Sequence, residues 1–217
     1  MNSPLYVVYL CILLVSFVSS IVNRKNLPHP VRLFPLLLFV TFLVEATAFY
    51  FQAFRKQSVQ PLYHLFLPFL YSGISYIYLK SIEAPPIFKK LILYSIPAFI
   101  FVHLNLSFFV QKINAPNSYA FMLAAVLIVV WSLSYFYYLL KSKAVLQLSA
   151  TPLFWISTGN IFFYSGAFFV MGSLSFLLTS NKQLASKLFV VIYVLNYFLY
   201  SLYTIGFLCT MWTKRSS

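Results

Sequence analysis

The sequence predicts an all-α polytopic membrane protein, a bundle of about seven transmembrane helices forming one domain over residues 1–217. Three observations predict it. Seven apolar stretches follow one another, each reaching the about 20 residues that carry a helix across a hydrocarbon core of about 30 Å. Lys and Arg gather in the short segments between these stretches and at their edges. Across the chain, 62% of residues are of apolar type and 8% are charged, whereas soluble domains run at about 25% charged.

The first stretch, residues 4–22, has no Lys or Arg before it, and the positive cluster follows it. A secretory signal has the reverse order, so an uncleaved helix is expected. The next stretches are 33–53, 61–79, 91–110, 119–140, 153–179 and 187–212. Their connections, NRKNLPHPVR, RKQSVQ, KSIEAPPIFKK, QKINAPNS, KSKAVLQLSATP and TSNKQLASK, are polar, and most carry the Pro or Asn that ends helices. Strands of a membrane barrel would alternate apolar and polar over about ten residues. These runs are continuously apolar and about twice as long. Spans two, three and four contain Pro35, Pro68 and Pro97; proline can kink a helix, and membrane helices tolerate it routinely, so these do not discriminate between functions. A three-plus-one-plus-three repeat, sought by laying spans two and three over six and seven, does not rise above shared composition.

Orientation follows from the basic residues. After spans one, three, five and seven lie Arg24, Lys25, Arg32, Lys80, Lys89, Lys90, Lys141, Lys143, Lys214 and Arg215, ten in all. After spans two, four and six lie only Arg55, Lys56, Lys112, Lys182 and Lys187. Positive loops stay in the cytoplasm, so the N-terminus is expected outside and the C-terminus inside. The formal charge of +13 does not point to nucleic acid, which needs basic residues gathered on one face. The expected partner is the lipid bilayer of a cell membrane, a bacterial inner membrane in particular.

The chain has no Asp, and its only acids are Glu45 and Glu83. Aspartyl proteolysis, Mg-dependent phosphotransfer on Asp clusters and carboxylate-dyad chemistry therefore lack their parts. A retinal protein needs a lysine inside its last helix, and span seven has one only at its edge, Lys187. The GxSG of rhomboid proteases and the DRY and NPxxY motifs of animal receptors are also missing. Cys11 and Cys209 fall at opposite depths, about 20 Å apart at 1.5 Å rise per residue, too far for a disulfide.

Glu45 is the one carboxylate within a span. An acid there costs about 2.5–3.5 kcal/mol on insertion scales, so such residues face the bundle interior. No cation lies inside a span to hold its charge. It is expected to carry its proton at rest and to hydrogen-bond Asn196, a tyrosine of span seven or His103. In span six, Ser157, Asn160 and Tyr164 share a face, while Gly159, Gly166 and Ser173 form a small-residue seam suited to close helix approach. In span seven, Tyr193, Asn196, Tyr200 and Tyr203 form a polar stripe. His64 and His103 fall, with Glu45 and Asn196, in the expected outer half. A Glu and two His on separate helices have no fixed spacing, so neither a metal nor another cofactor is expected.

Glu45 in span two, FWISTGNIFFYSG in span six and LNYFLYSLYTIGF in span seven together carry a resemblance. The chain resembles small seven-helix bacterial membrane proteins related to the membrane-sensing modules of sensor kinases. The likeness implies a sensing or accessory signalling module that passes helix shifts to a cytoplasmic or membrane partner. Such a module would bind a small or lipid-like ligand among Glu45, His103, Asn160, Tyr164, Asn196 and Tyr200. The rival expectation is a small-solute transporter using the same residues as a mid-membrane pocket. An enzyme acting on lipids is the third, disfavoured by the missing acids.

Overall fold

A computed structural model describes residues 3–141, 148–180 and 182–215. The chain forms helices α1 (Ser3–Val22), α2 (Phe34–Tyr50), α3 (Gln60–Ser81), α4 (Pro86–Asn105), α5 (Ser118–Lys141), α6 (Pro152–Ser180) and α7 (Lys182–Arg215). Seven helices among the described residues are long and apolar enough to cross a membrane, and no strand occurs among those residues. The fold is the expected helix bundle of a multi-pass membrane protein. Odd-numbered helices start at the N-terminal end of the bundle and even-numbered ones finish there.

Proline sets several of the starts. α2, α3 and α4 each carry a proline in the first turn, and α6 begins on Pro152. The missing N–H costs nothing there, and the fixed φ is already helical. Pro35 thus lies in the first turn of α2, while Pro68 and Pro97 lie inside α3 and α4. α4 starts at Pro86, ahead of the expected residue 91. Lys89 and Lys90 had marked that stretch as a loop, but their long stems let the ammonium groups reach the interface from the first turns of a helix. The far ends of α2 and α4 loosen into π turns over Phe51–Arg55 and Leu106–Val110, which the sequence pattern does not reveal.

Each helix presents one face inward. On α1, Tyr6, Tyr9, Leu13, Ser16 and Ser20 are buried at spacings of three and four. Val15 and Val18 on the same helix, Leu65 on α3 and Phe101 on α4 face outward, where lipid chains solvate them. Around the bundle, α1 packs on α2 and α7, α2 on α3, α3 on α4 and α5, α5 on α6, and α6 on α7. α4 stands outside this ring, held mainly by α3. Cys11 is exposed, Cys209 is buried, and both are free thiols.

Apolar burial supplies little drive between helices already in lipid, so close packing carries more of the association. α6 and α7 show how. Gly159 and Gly166 face α7, against Leu199 and Leu195 respectively, while Ser173, the third member of the expected seam, is exposed. A further glycine packs directly against backbone. A Cβ on Gly206 would stand 2.8 Å from the Pro152 carbonyl oxygen and 3.1 Å from Trp155 Cβ. Backbone cannot turn aside, so Gly206→Ala should push the two helices apart and lower stability by about 1–2 kcal/mol, as overpacking does. Gly172→Ala is the control. Its Cβ would meet Met122 Cε at 3.3 Å, a flexible group, and alanine improves helix propensity by about 0.8–1 kcal/mol. Unfolding of both variants in detergent titration checks the contrast. Equal midpoints would show that the Gly206 contact yields freely.

Candidate functional site

Glu45 lies on α2, near the N-terminal end of the bundle, and is partly buried. Tyr6 of α1 donates its phenol proton to Glu45 Oε2 at 2.6 Å and also lies 3.0 Å from the Glu45 carbonyl oxygen. Tyr63, in the first turn of α3, donates to the same Oε2 at 3.1 Å. One carboxyl group therefore ties three helices together. Tyr9, one turn beyond Tyr6, faces the same carboxyl. Tyr6 stacks on Phe49 and meets Tyr193 of α7 edge-on, with centroids 5.2 and 5.9 Å away, so α1 stands between α2 and α7 at this depth.

That placement corrects the expected partners of Glu45. They are phenols of α1 and α3, not Asn196, a tyrosine of span seven or His103. Asn196 instead donates to the Ile192 carbonyl of its own helix at 3.0 Å. It takes no part in the carboxyl's hydrogen bonds.

A second polar cluster sits deeper, toward the C-terminal end. Asn160 on α6 is fully buried. Its Oδ1 accepts from Tyr203 of α7, and its Nδ2 donates to Tyr78 Oη of α3 at 2.9 Å. Tyr78 Oη also lies 2.7 Å from Ser132 Oγ on α5 and 3.0 Å from Ser157 Oγ on α6. Ser132 has its own acceptor, the Ile128 carbonyl. The consistent assignment has Tyr78 donating to Ser132 and accepting from Ser157 and Asn160, which fills the phenol's one donor and two acceptor places. Three helices, α3, α5 and α6, meet at this oxygen, and Asn160 extends the cluster to α7 through Tyr203.

A line of tyrosine rings joins the two clusters. From Tyr6, centroid steps of 5.6 Å to Tyr9, 5.9 Å to Tyr200 and 5.8 Å to Tyr203 lead to Asn160. α1 and α7 thus share an aromatic seam running from the carboxyl at one end to the amide near the other. Tyr164 is buried beside this line, packed on Phe121 and Phe163.

The histidines form a third, separate group. His103 Nε2 lies 2.8 Å from the His64 carbonyl and must donate to it, so Nδ1 is the acceptor for Asn117 Nδ2 at 3.4 Å. His64 Nε2 lies 3.1 Å from the Ala115 carbonyl, and its Nδ1 takes the Ser107 hydroxyl at 2.8 Å. Each ring thereby presents an Nε2–H to a backbone carbonyl. The pair ties the start of α3 to the π turn after α4 and to the segment before α5. Among the described residues, no three His, Cys, Asp or Glu side chains come close enough to hold a metal.

Of the six residues singled out from sequence, the structure places Tyr200, Tyr164 and Asn160 on or beside the seam and Glu45 at its end. His103 belongs to the histidine group, and Asn196 bonds to its own backbone. Sequence reasoning missed Tyr6, Tyr63 and Tyr78. The signal for Tyr78 was present: Tyr71, Ser75 and Tyr78 recur at helical spacing in YSGISYIYL and are all buried. Comparison of the chain with protein-family models, curated proteins and solved structures finds no match in any of the three.

Proposed function

We propose that the protein is a membrane-embedded sensing or accessory signalling module with Glu45 as its responsive centre. A small or lipid-like ligand, arriving together with loss of the carboxyl proton or gain of a cation, changes the bonds that Glu45 makes. The observation that carries this reading is the three-helix tie: Oε2 of one carboxyl holds phenols from α1 and α3. A change at that atom alters α1, α2 and α3 together. The tyrosine seam gives the shift a packed route along α1 and α7 toward the C-terminal end, where a cytoplasmic or membrane partner would read it. On the charge bias, that end faces the cytoplasm. Small-solute transport has less support, because the amide proposed to line a mid-membrane pocket is already bonded to Tyr78 and Tyr203.

The test uses two spin labels at the end remote from Glu45, at Val22 on α1 and Lys80 on α3, in a chain lacking Cys11 and Cys209. Both labelled positions are exposed. In nanodiscs, raising the pH should change the distance between the labels as Glu45 loses its proton. Glu45→Gln should hold the distance found at low pH. The same response in both chains, or no response in either, would remove Glu45 from the centre of the mechanism.

A further inference from the structure

α4 meets α5 only sparsely, and a groove runs between them on the lipid-facing side. Its inner part, with a volume of about 390 Å³, is lined by Leu91, Tyr94, Ser95 and Ala98 of α4 and by Leu127, Val130 and Trp131 of α5. Its outer part, about 540 Å³, continues past Phe88, Lys90 and Tyr138 to Pro85 at the C-terminal end of the bundle. Ile87 to Ala98 covers about 16 Å at 1.5 Å per residue. That is about half of a hydrocarbon core of about 30 Å, the depth of one leaflet.

Two features distinguish this groove from ordinary lipid-facing surface. Trp131 is 2% exposed, and its indole N–H has no hydrogen-bond partner. A buried donor without an acceptor is costly and rare. Besides Tyr94, the inner wall offers one hydroxyl, that of Ser95, and it is engaged with Tyr71 and the Ile92 carbonyl. The second feature is charge. Lys90 lines the outer part, Lys89 is its neighbour, and Lys141 lies one turn beyond Tyr138 with its ammonium 4.4 Å from the Tyr137 ring centroid. Phe88 touches both Trp131 and Tyr138, with centroids 5.9 and 5.6 Å away. The start of α4 therefore stands level with the stretch between them, and Lys90 and Trp131 lie at neighbouring depths.

We infer that this groove is a binding site for one anionic glycerophospholipid of the surrounding bilayer. An acyl chain fills the wall of Leu91, Ala98, Leu127 and Val130. The phosphate meets Lys90, whose flexible stem reaches outward to the headgroup level. An ester carbonyl, which lies below the phosphate in such a lipid, supplies the acceptor that the Trp131 N–H lacks. The site is distinct from the Glu45 centre and stands whether or not that centre senses anything.

The test makes Trp131 the only tryptophan, through Trp155→Phe and Trp212→Phe, and reconstitutes the chain in phosphatidylcholine vesicles. Increasing fractions of chain-brominated phosphatidylglycerol or chain-brominated phosphatidylcholine are then added, and quenching of Trp131 is followed. The anionic lipid should quench saturably at a lower fraction than the zwitterionic one. Lys90→Gln should weaken its apparent affinity by about fivefold, the worth of one basic residue at an anionic surface. Ala98→Phe, which fills the groove without touching charge, should abolish the saturable phase. Native mass spectrometry of the unsubstituted chain should show one retained phosphatidylglycerol, lost in Ala98→Phe. Equal, non-saturating quenching by the two lipids would mean ordinary boundary lipid and overturn the site. So would an absence of quenching by either, which would mean a closed groove.

Discussion

Glu45→Gln should fold with near-native stability yet lose the infrared carbonyl band of a protonated carboxylic acid. The chain suits the experiment because Glu45 and Glu83 are its only acidic side chains. Glu83 is exposed, and replacing each acid in turn assigns the band to one of them. It should shift in deuterated water, persist in Glu83→Gln and vanish in Glu45→Gln. A carboxyl within an apolar span, whose hydrogen bonds come from phenols and not from a cation, avoids the insertion cost of a charge by keeping its proton. Gln keeps the oxygen that Tyr6 and Tyr63 donate to, so its fold is preserved. Glu45→Leu is a harsher change. Both phenols then lose their acceptor on the side chain, and buried donors left unpaired cost about 1–3 kcal/mol each. A loss of about 2 kcal/mol is expected, because Glu45 is only partly buried. Absence of the acid band from the unsubstituted chain would show an ionised resting carboxyl and reverse the direction of the proposed switch.

The fold was legible because the bilayer imposes one rule on every span. Backbone groups must bond internally, so a continuous apolar run of about 20 residues can only be a helix there. The boundaries failed where that rule gives no guidance. Lys89 and Lys90 read as loop yet sit in α4, and the π turns after α2 and α4 have no composition of their own. At the site, the lone acid stood out by type, but its partners did not. Tyr6 and Tyr63 lie near helix ends, where tyrosine normally marks the membrane interface, so nothing in their spacing separated them from a belt. Asn196 looked like a partner because it shares a face with Tyr193 and Tyr200. Its amide is instead bonded within its own helix, and which helix faces α2 is set by the packing order around the ring. Periodicity assigns a residue to a face but does not say which helix that face meets.

Asn160→Ala should be the most damaging single change in the interior. The side chain is fully buried, and it joins α6 to α3 and α7 at one point. Hydrogen bonds between membrane helices average about 0.6 kcal/mol and reach about 1.7 kcal/mol, so a simple pairwise loss would be small. Deletion here does more. Tyr203 Oη loses the acceptor of its proton, while Tyr78 Oη keeps Ser132 and Ser157 but loses one of its donors. A stranded buried hydroxyl costs about 1–3 kcal/mol, and the space left by the amide adds a cavity cost. A total of about 3 kcal/mol is expected in reversible unfolding from mixed detergent. The companion variant Tyr203→Phe should cost only about 0.5–1.5 kcal/mol, since it removes the donor together with its need for an acceptor. The double variant should then be less destabilised than the two single changes predict together, because the phenyl ring that replaces the phenol has no proton left to strand. Strict additivity would mean that Tyr203 and Asn160 do not depend on one another. The seam would then end at Tyr200, leaving the Glu45 carboxyl without a connected route to the C-terminal end of the bundle.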